Sequence, residues 1–235
     1  MTSNNRVCAL AFSALLFTAP ALQASLAVAA SFQQKVDKAA AIILGKCVSQ
    51  ESRFDPSGRW ILTYSTFQVE KAMKGSAAPE VTIVTPGGHI GSLHQTSIGV
   101  PAFRPGAENV LFVKDSNVGP TVLFFDQGAY DVTSDEHGDR VVAPVPSDLV
   151  KIDTQRGVAV PAESPQPLKQ FEQRVNDTMQ DLRQEHTRMD VLARKQNKPP
   201  EQASLWQVIK DNKWTILLAI AGLAYATLLL VRRVF

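Results

Sequence analysis

Through the middle of the chain, hydrophobic residues recur in short runs bounded by turn formers, and long helical stripes appear only toward the end. At the front, Phe32, Val36, Ala39 and Ala40 fall at three- and four-residue steps, which predicts a short amphipathic helix over 31–40. The period then changes. Residues 41–48 (Ala-Ile-Ile-Leu-Gly-Lys-Cys-Val) read as a strand, Asp55-Pro-Ser-Gly58 as a turn, and residues 59–69 as a partly alternating second strand rich in aromatic and β-branched side chains. Together they predict a hairpin. Further strands are predicted at 80–84, 109–113, 121–125 and 140–142, each bounded by glycine, proline or asparagine, with 128–132 as either another strand or a continuation of the one before it. Many short strands with little helix predict a mainly β domain. The long bent hairpin and the short helix favour a small Greek-key barrel of the OB type, and a sandwich is the competing architecture.

Beyond residue 143 prolines become frequent, and 144–167 reads as an extended linker. Leu168, Phe171, Val175, Met179, Leu182, His186, Met189 and Ala193 then repeat at helical spacing, predicting an amphipathic helix over 168–198. Phe171, Val175, Met179, Leu182 and Met189 are its candidate partner-binding face. It has two main uses: packing back on the domain, or pairing across 168–193 with an envelope protein or a second copy. Residues 214–231 contain no charge and match the length of a transmembrane helix, about 17–25 residues. Trp206 and Trp214 suit an interface, and Arg232 and Arg233 suit a cytoplasmic tail.

The N-terminus orders its residues as a secretory signal does: Arg6, an apolar stretch at 7–17, then the small residues Ala27 and Ala29. Cleavage is expected after Ala29, with Ala24 and Ala30 as alternatives and an uncleaved anchor as the competing reading. The chain thus divides into a signal peptide (1–29), a β-barrel domain (30–143), a proline-rich linker (144–167), an amphipathic helix (168–198), a juxtamembrane segment (199–213), a membrane span (214–231) and a tail (232–235). This predicts a single-pass protein of the bacterial cell membrane, with its β domain in the periplasm and its C-terminus in the cytoplasm.

Charge narrows the partners. The formal charge is +2; losing Arg6 leaves +1, and setting Arg232 and Arg233 aside leaves −1 on the exported part. That is no basis for gripping a phosphate backbone, so nucleic acid is not an expected partner. Cys8 leaves with the signal. Cys47 then has no internal partner and is either a buried small hydrophobe or a link between chains.

Candidate chemistry concentrates in one glycine-rich loop, residues 85–106, which is long enough to be functional. His89, His94, Phe103 and Arg104 are its candidate ligand-binding residues. His89 and His94, with His137, also offer a conceivable imidazole set, but their spacing matches no known metal signature and no metal or other cofactor is expected. Ser92 beside His94, with Asp126 or Asp131, supplies the residue types of a hydrolytic triad, yet no nucleophile elbow is present. No residue set spells out a reaction, and a catalytic residue is not assigned.

Three segments carry a resemblance. Phe67-Gln-Val-Glu-Lys-Ala-Met-Lys-Gly75, Thr85-Pro-Gly-Gly88, and Gly99-Val-Pro-Ala-Phe-Arg-Pro-Gly-Ala-Glu108 before an apolar strand resemble an uncharacterised family of secreted bacterial β-domains. More distantly, the layout over 38–132 is similar to the netrin-like barrels of tissue metalloproteinase inhibitors. The resemblance implies a fold. Those inhibitors chelate the protease zinc through an N-terminal cysteine, which this chain's mature start lacks. The expected function is a non-enzymatic, membrane-anchored binding or accessory module, with an envelope hydrolase or a protease inhibitor acting through the 86–106 loop as alternatives.

Overall fold

A computed structural model describes residues 25–196, 210 and 212–234. The expected signal residues Arg6, Cys8 and the apolar stretch 7–17, together with Trp206, lie outside the described residues. The chain divides into two compact units, one up to Leu182 and one from Arg183.

The first unit begins with β1 (Ser25–Val28) and α1 (Phe32–Lys38). Ser31 caps α1 in a capping box, its hydroxyl accepting from Gln34 N while the Gln34 side chain accepts from Ser31 N, so the predicted helix has a defined start. The hairpin β2 (Ala41–Phe54) and β3 (Ile61–Lys74) follows, with β4 (Glu80–Pro86), the short β5 (Gly88–Ile90) and β6 (Leu93–Gln95), and β7 (Glu108–Lys114). Then come β8 (Thr121–Val122), β9 (Ala129–Ser134), β10 (Arg140–Pro144), β11 (Leu149–Asp153), β12 (Val158–Ala159) and β13 (Gln166–Pro167). Helix α2 runs over Leu168–Gln196 and α3 over Lys213–Val234.

The main sheet has the order β13-β10-β9-β7-β2-β3-β4, with β8 beside the far end of β7. The fold is mainly β, as expected, but the sheets are not closed into a barrel. Val84 N of β4 donates to Pro120 O just before β8, at 2.8 Å, yet no ladder joins the two strands among the described residues. The reason lies in the predicted strand 121–125. It stops after two residues because Phe124 and Phe125 both take left-handed backbone angles (φ 55° and 59°) and turn the chain into a 3-10 turn at Phe125–Gly128. A two-residue strand cannot supply the closing ladder.

Both faces of the main sheet are buried, which explains why its strands read as runs rather than strict alternations. Ile42, Leu44, Val110, Phe112, Tyr130, Val132 and Val142 meet Phe32 and Val36 of α1 and Leu168, Phe171 and Val175 of α2. The intervening residues Ile43, Cys47, Phe67, Ile83, Leu111, Val113 and Ala129 form a second core with Phe103, Val122 and Val145. Register shifts at three places along the β2–β3 hairpin bend it around this second core. Cys47 is fully buried there, and burial pushes its thiol pKa up. That environment disfavours the thiolate needed for a link between chains.

Two expected segment roles change. The 144–167 stretch is not a free linker: β11 and β12 pair with one another, β1 pairs in parallel with β11, and β13 lies on the edge of the main sheet. Its prolines sit where no ladder bond is lost, Pro144 at the end of β10 and Pro167 on the edge strand. The first half of the amphipathic stripe is also committed. Phe171 and Val175 are fully buried in the domain's own core, and Met179 and Leu182 pack against it. Phe171 and Val175 are therefore not available as a partner-binding face, and Met179 and Leu182 keep only part of their surface exposed.

In the second unit, Met189, Val191 and Leu192 are exposed, as are the described apolar side chains of α3. Among the residues whose side chains are described, no helix is long and apolar enough to cross a membrane.

Candidate functional site

The 85–106 loop folds into a cleft of about 570 Å³ between β5–β6 and the β2–β3 hairpin. Two glycines make this possible. Gly87 (φ 97°) and Gly88 (φ 135°) take backbone angles that L side chains rarely adopt. A Cβ on Gly88 would lie 2.3 Å from Thr63 Oγ1 and 2.5 Å from Ser52 Oγ. Thr63 Oγ1 donates to Gly87 O at 2.7 Å, and Gly87 N donates to Ile61 O at 2.8 Å, locking the crossing to β3. Ile61 N donates to Gln95 Oε1 at 2.9 Å, which pins β6 to the same strand. At the far end of the loop, Gln50 Nε2 donates to Phe103 O at 3.3 Å and Ser65 Oγ at 3.1 Å. The loop is a pinned wall. Gly88→Ala is expected to cost about 1–3 kcal/mol in backbone strain and to displace β5 as well. Chemical denaturation should show the loss, with an unchanged midpoint as the contrary result.

The loop brings two of the candidate residues together. His89 and His94 face one another in the β5–β6 register, and both line the cleft. Ser52, Thr63, Thr96 and Ser97 add hydroxyl groups, Gln50 and Gln95 amides, and Glu51 and Asp148 carboxylates. His94 Nε2 lies 3.1 Å from Thr96 Oγ1, so the polar partner of this imidazole is a hydroxyl. A triad would need a carboxylate on the other ring nitrogen, Nδ1. Asp126 instead lies buried near Lys151 (3.6 Å), and Asp131 accepts from Asn109 Nδ2 at 2.9 Å. His137 sits in the Asp135–Asp139 turn and is not part of the cleft lining. No group of three or more His, Cys, Asp or Glu suited to a metal ion occurs among the described residues. The cleft lining offers hydrogen-bond donors and acceptors beside two carboxylates.

The other two candidates are placed differently. Phe103 is a core residue, 4% exposed, with its ring edge-on to Phe67 at 5.0 Å. It lines both the first cleft and a second of about 440 Å³ that is also lined by Arg104, Asn109 and Asp131. Asn109 is 1% exposed and its Oδ1 has no hydrogen-bond partner. Burial pushes the Asp131 carboxyl up, and the Asn109 hydrogen bond and Arg104 charge pull it partly back.

Sequence reasoning missed one polar cluster. Lys35, 4% exposed, donates to Tyr130 OH and to Glu163 Oε1, the latter at 2.6 Å. Tyr130 OH also donates to Glu163 Oε1 at 3.0 Å, while Arg174 NH1 donates to Glu163 Oε2 at 3.0 Å and lies over the Phe32 ring at 3.7 Å. Burial lowers the Lys35 pKa, with Glu163 partly offsetting it. Burial alone would raise that of Glu163, but Lys35, Tyr130 and Arg174 together hold it below the usual carboxylate value. The signal was present in the sequence: Lys35 stands three residues after Phe32, on the apolar face of α1. The cluster joins α1, β9, the 144–167 segment and α2, and its hydrogen bonds are spent within the protein.

Compared with protein families, curated proteins and solved structures, the chain matches none.

Proposed function

We propose that this chain is a membrane-anchored, extracytoplasmic binding module of the bacterial envelope that takes a polyhydroxylated ligand, a glycan of the cell-wall type, in the β5–β6 cleft. One observation carries the reading: a pinned cleft of about 570 Å³ whose lining combines hydroxyls, amides and the two imidazoles of His89 and His94. Volumes of about 300–1,000 Å³ suit small-ligand sites. A lining of hydroxyls, amides and imidazoles matches the hydroxyls of a sugar better than it matches an apolar ligand. The exported part carries no basic excess that would favour a polyanion.

Anchoring rests on α3. It is 22 residues long, and the uncharged run 214–231 lies within it. The described side chains of this helix end at Leu223, so the reading rests on the sequence, whose uncharged run matches the about 17–25 residues that a span needs. Trp214 and Leu218 are 72% and 71% exposed. A helix with this much apolar surface requires cover, and lipid supplies it on every side.

Calorimetric titration with soluble cell-wall glycan fragments tests the ligand. The intact protein should bind, and His89→Ala with His94→Ala should weaken binding by about tenfold, the effect of losing about 1.4 kcal/mol of hydrogen bonding. Equal affinity for the double variant, or no binding by the intact protein, would sink the glycan reading.

A further inference from the structure

We infer that leader cleavage occurs immediately before Ser25, so that Ser25–Ala30 is the first structural segment of the mature protein rather than the end of the discarded signal. The inference rests on the proposed export of the domain. Residues 25–28 form β1 and pair in parallel with β11, Ser25 with Leu149 through to Val28 with Ile152. Ala29 N continues the contact, donating to Ile152 O at 2.9 Å. The Gln127 side chain, 9% exposed, is fully engaged on the same segment: its Oε1 accepts from Ala30 N at 2.8 Å and its Nε2 donates to Val28 O at 3.0 Å.

Cleavage after Ala29 or Ala30 would break this arrangement in two places. It would remove one of the two strand partners of β11, leaving it paired to β12 alone, and leave a nearly buried side-chain amide unpaired at one or both ends, a state that folded proteins avoid. It would also unroof the Lys35 cluster, because Ala29 and Ala30 line the small cavity, about 60 Å³, that also contains Lys35, Tyr130 and Glu163. Ala24 supplies the small residue directly before the cut, with Leu22 in place of a small residue two positions earlier. The small-x-small pattern thus favours Ala27 and Ala29, and it is the pairing of Ser25–Ala30 that selects Ala24. Hydrolysis of the Ala24–Ser25 peptide bond adds one water, leaving a carboxylate on the leader and an α-amino group on Ser25.

N-terminal sequencing of the full-length protein recovered from membranes decides the matter. A first residue of Ser25 is the expected result. A start at Val28, Ala30 or Ser31 overturns the inference while leaving export intact. A start at Met1 or Thr2 also overturns the inference, since no leader would then have been cleaved, and export is then decided by whether added protease reaches the β domain in intact spheroplasts.

Discussion

Replacing Glu163 by alanine is expected to destabilise the domain by about 3–5 kcal/mol, the usual cost of leaving a buried ion without its partner. Lys35 is 4% exposed and finds its opposite charge in Glu163 at 2.6 Å. Without that carboxylate, the ammonium group would stay desolvated beside Arg174, which already opposes its charge. The cost should fall sharply in Glu163→Leu combined with Lys35→Met, because apolar groups of similar volume replace a buried pair at little expense. Urea unfolding of the single and double variants measures this directly. A double variant as unstable as the single one would show that the cluster contributes packing and not charge pairing.

The same cluster sets a pH dependence. The folded pKa of Glu163 lies below the ordinary value of 4.5, so its ionisation stabilises the native state above pH 4.5. That contribution is lost as pH falls through the folded value. Lys35 has the opposite limb: its folded pKa is below 10.5, so the native state releases that proton first and stability rises as pH climbs from the folded value through 10.5. Glu163→Gln should therefore flatten the acid limb of the stability profile and leave its slope below pH 4.5 shallower than that of the parent.

Phe171→Ala should cost about 3–5 kcal/mol, the range for deleting a fully buried aromatic ring. The ring is completely buried and lies edge-on to Phe32 (5.5 Å), Phe112 (6.3 Å) and Tyr130 (4.9 Å). It is thus the point at which α2 joins α1, β7 and β9. Met189→Ala, on the same helix but 60% exposed, should change stability by less than about 0.5 kcal/mol. Thermal melts of the two variants distinguish a helix packed into the core from one held outside it. Equal losses, or a small loss at Phe171, would contradict the packing described.

The elements legible in the sequence were those fixed by local signals. Ser31 and Gln34 frame α1 at its start, and Asp55-Pro-Ser-Gly58 marks the hairpin turn. In that turn Asp55 accepts from Arg59 N and Trp60 N, and its pKa is lowered to about 2, chiefly by the Ser57 hydroxyl. What the sequence hid was long-range. Phe124 and Phe125 look like strand residues, and their left-handed angles are imposed by the surrounding fold. The prolines of 144–167 suggested a linker, since proline marks the absence of a ladder donor and says nothing of a segment pairing through its other residues. The apolar stripe of α2 showed that a face must be covered without showing by what, and the cover is the sheet itself as far as Leu182. For the cleft, the glycines and histidines of 85–106 drew the eye to a loop that lines one. The opposite wall, Gln50, Ser52 and Thr63, lies on the β2–β3 hairpin, where nothing local distinguishes a cleft-facing hydroxyl from a solvated one.

The most direct test of the account is protease protection on cells producing the full chain with a C-terminal epitope. Membranes are washed in alkaline carbonate, and protease is added to intact spheroplasts. The account predicts that the epitope stays with the washed membrane and survives digestion, while the β domain is removed from outside. A chain released by carbonate, or a β domain protected in intact spheroplasts and digested only after lysis, would contradict it.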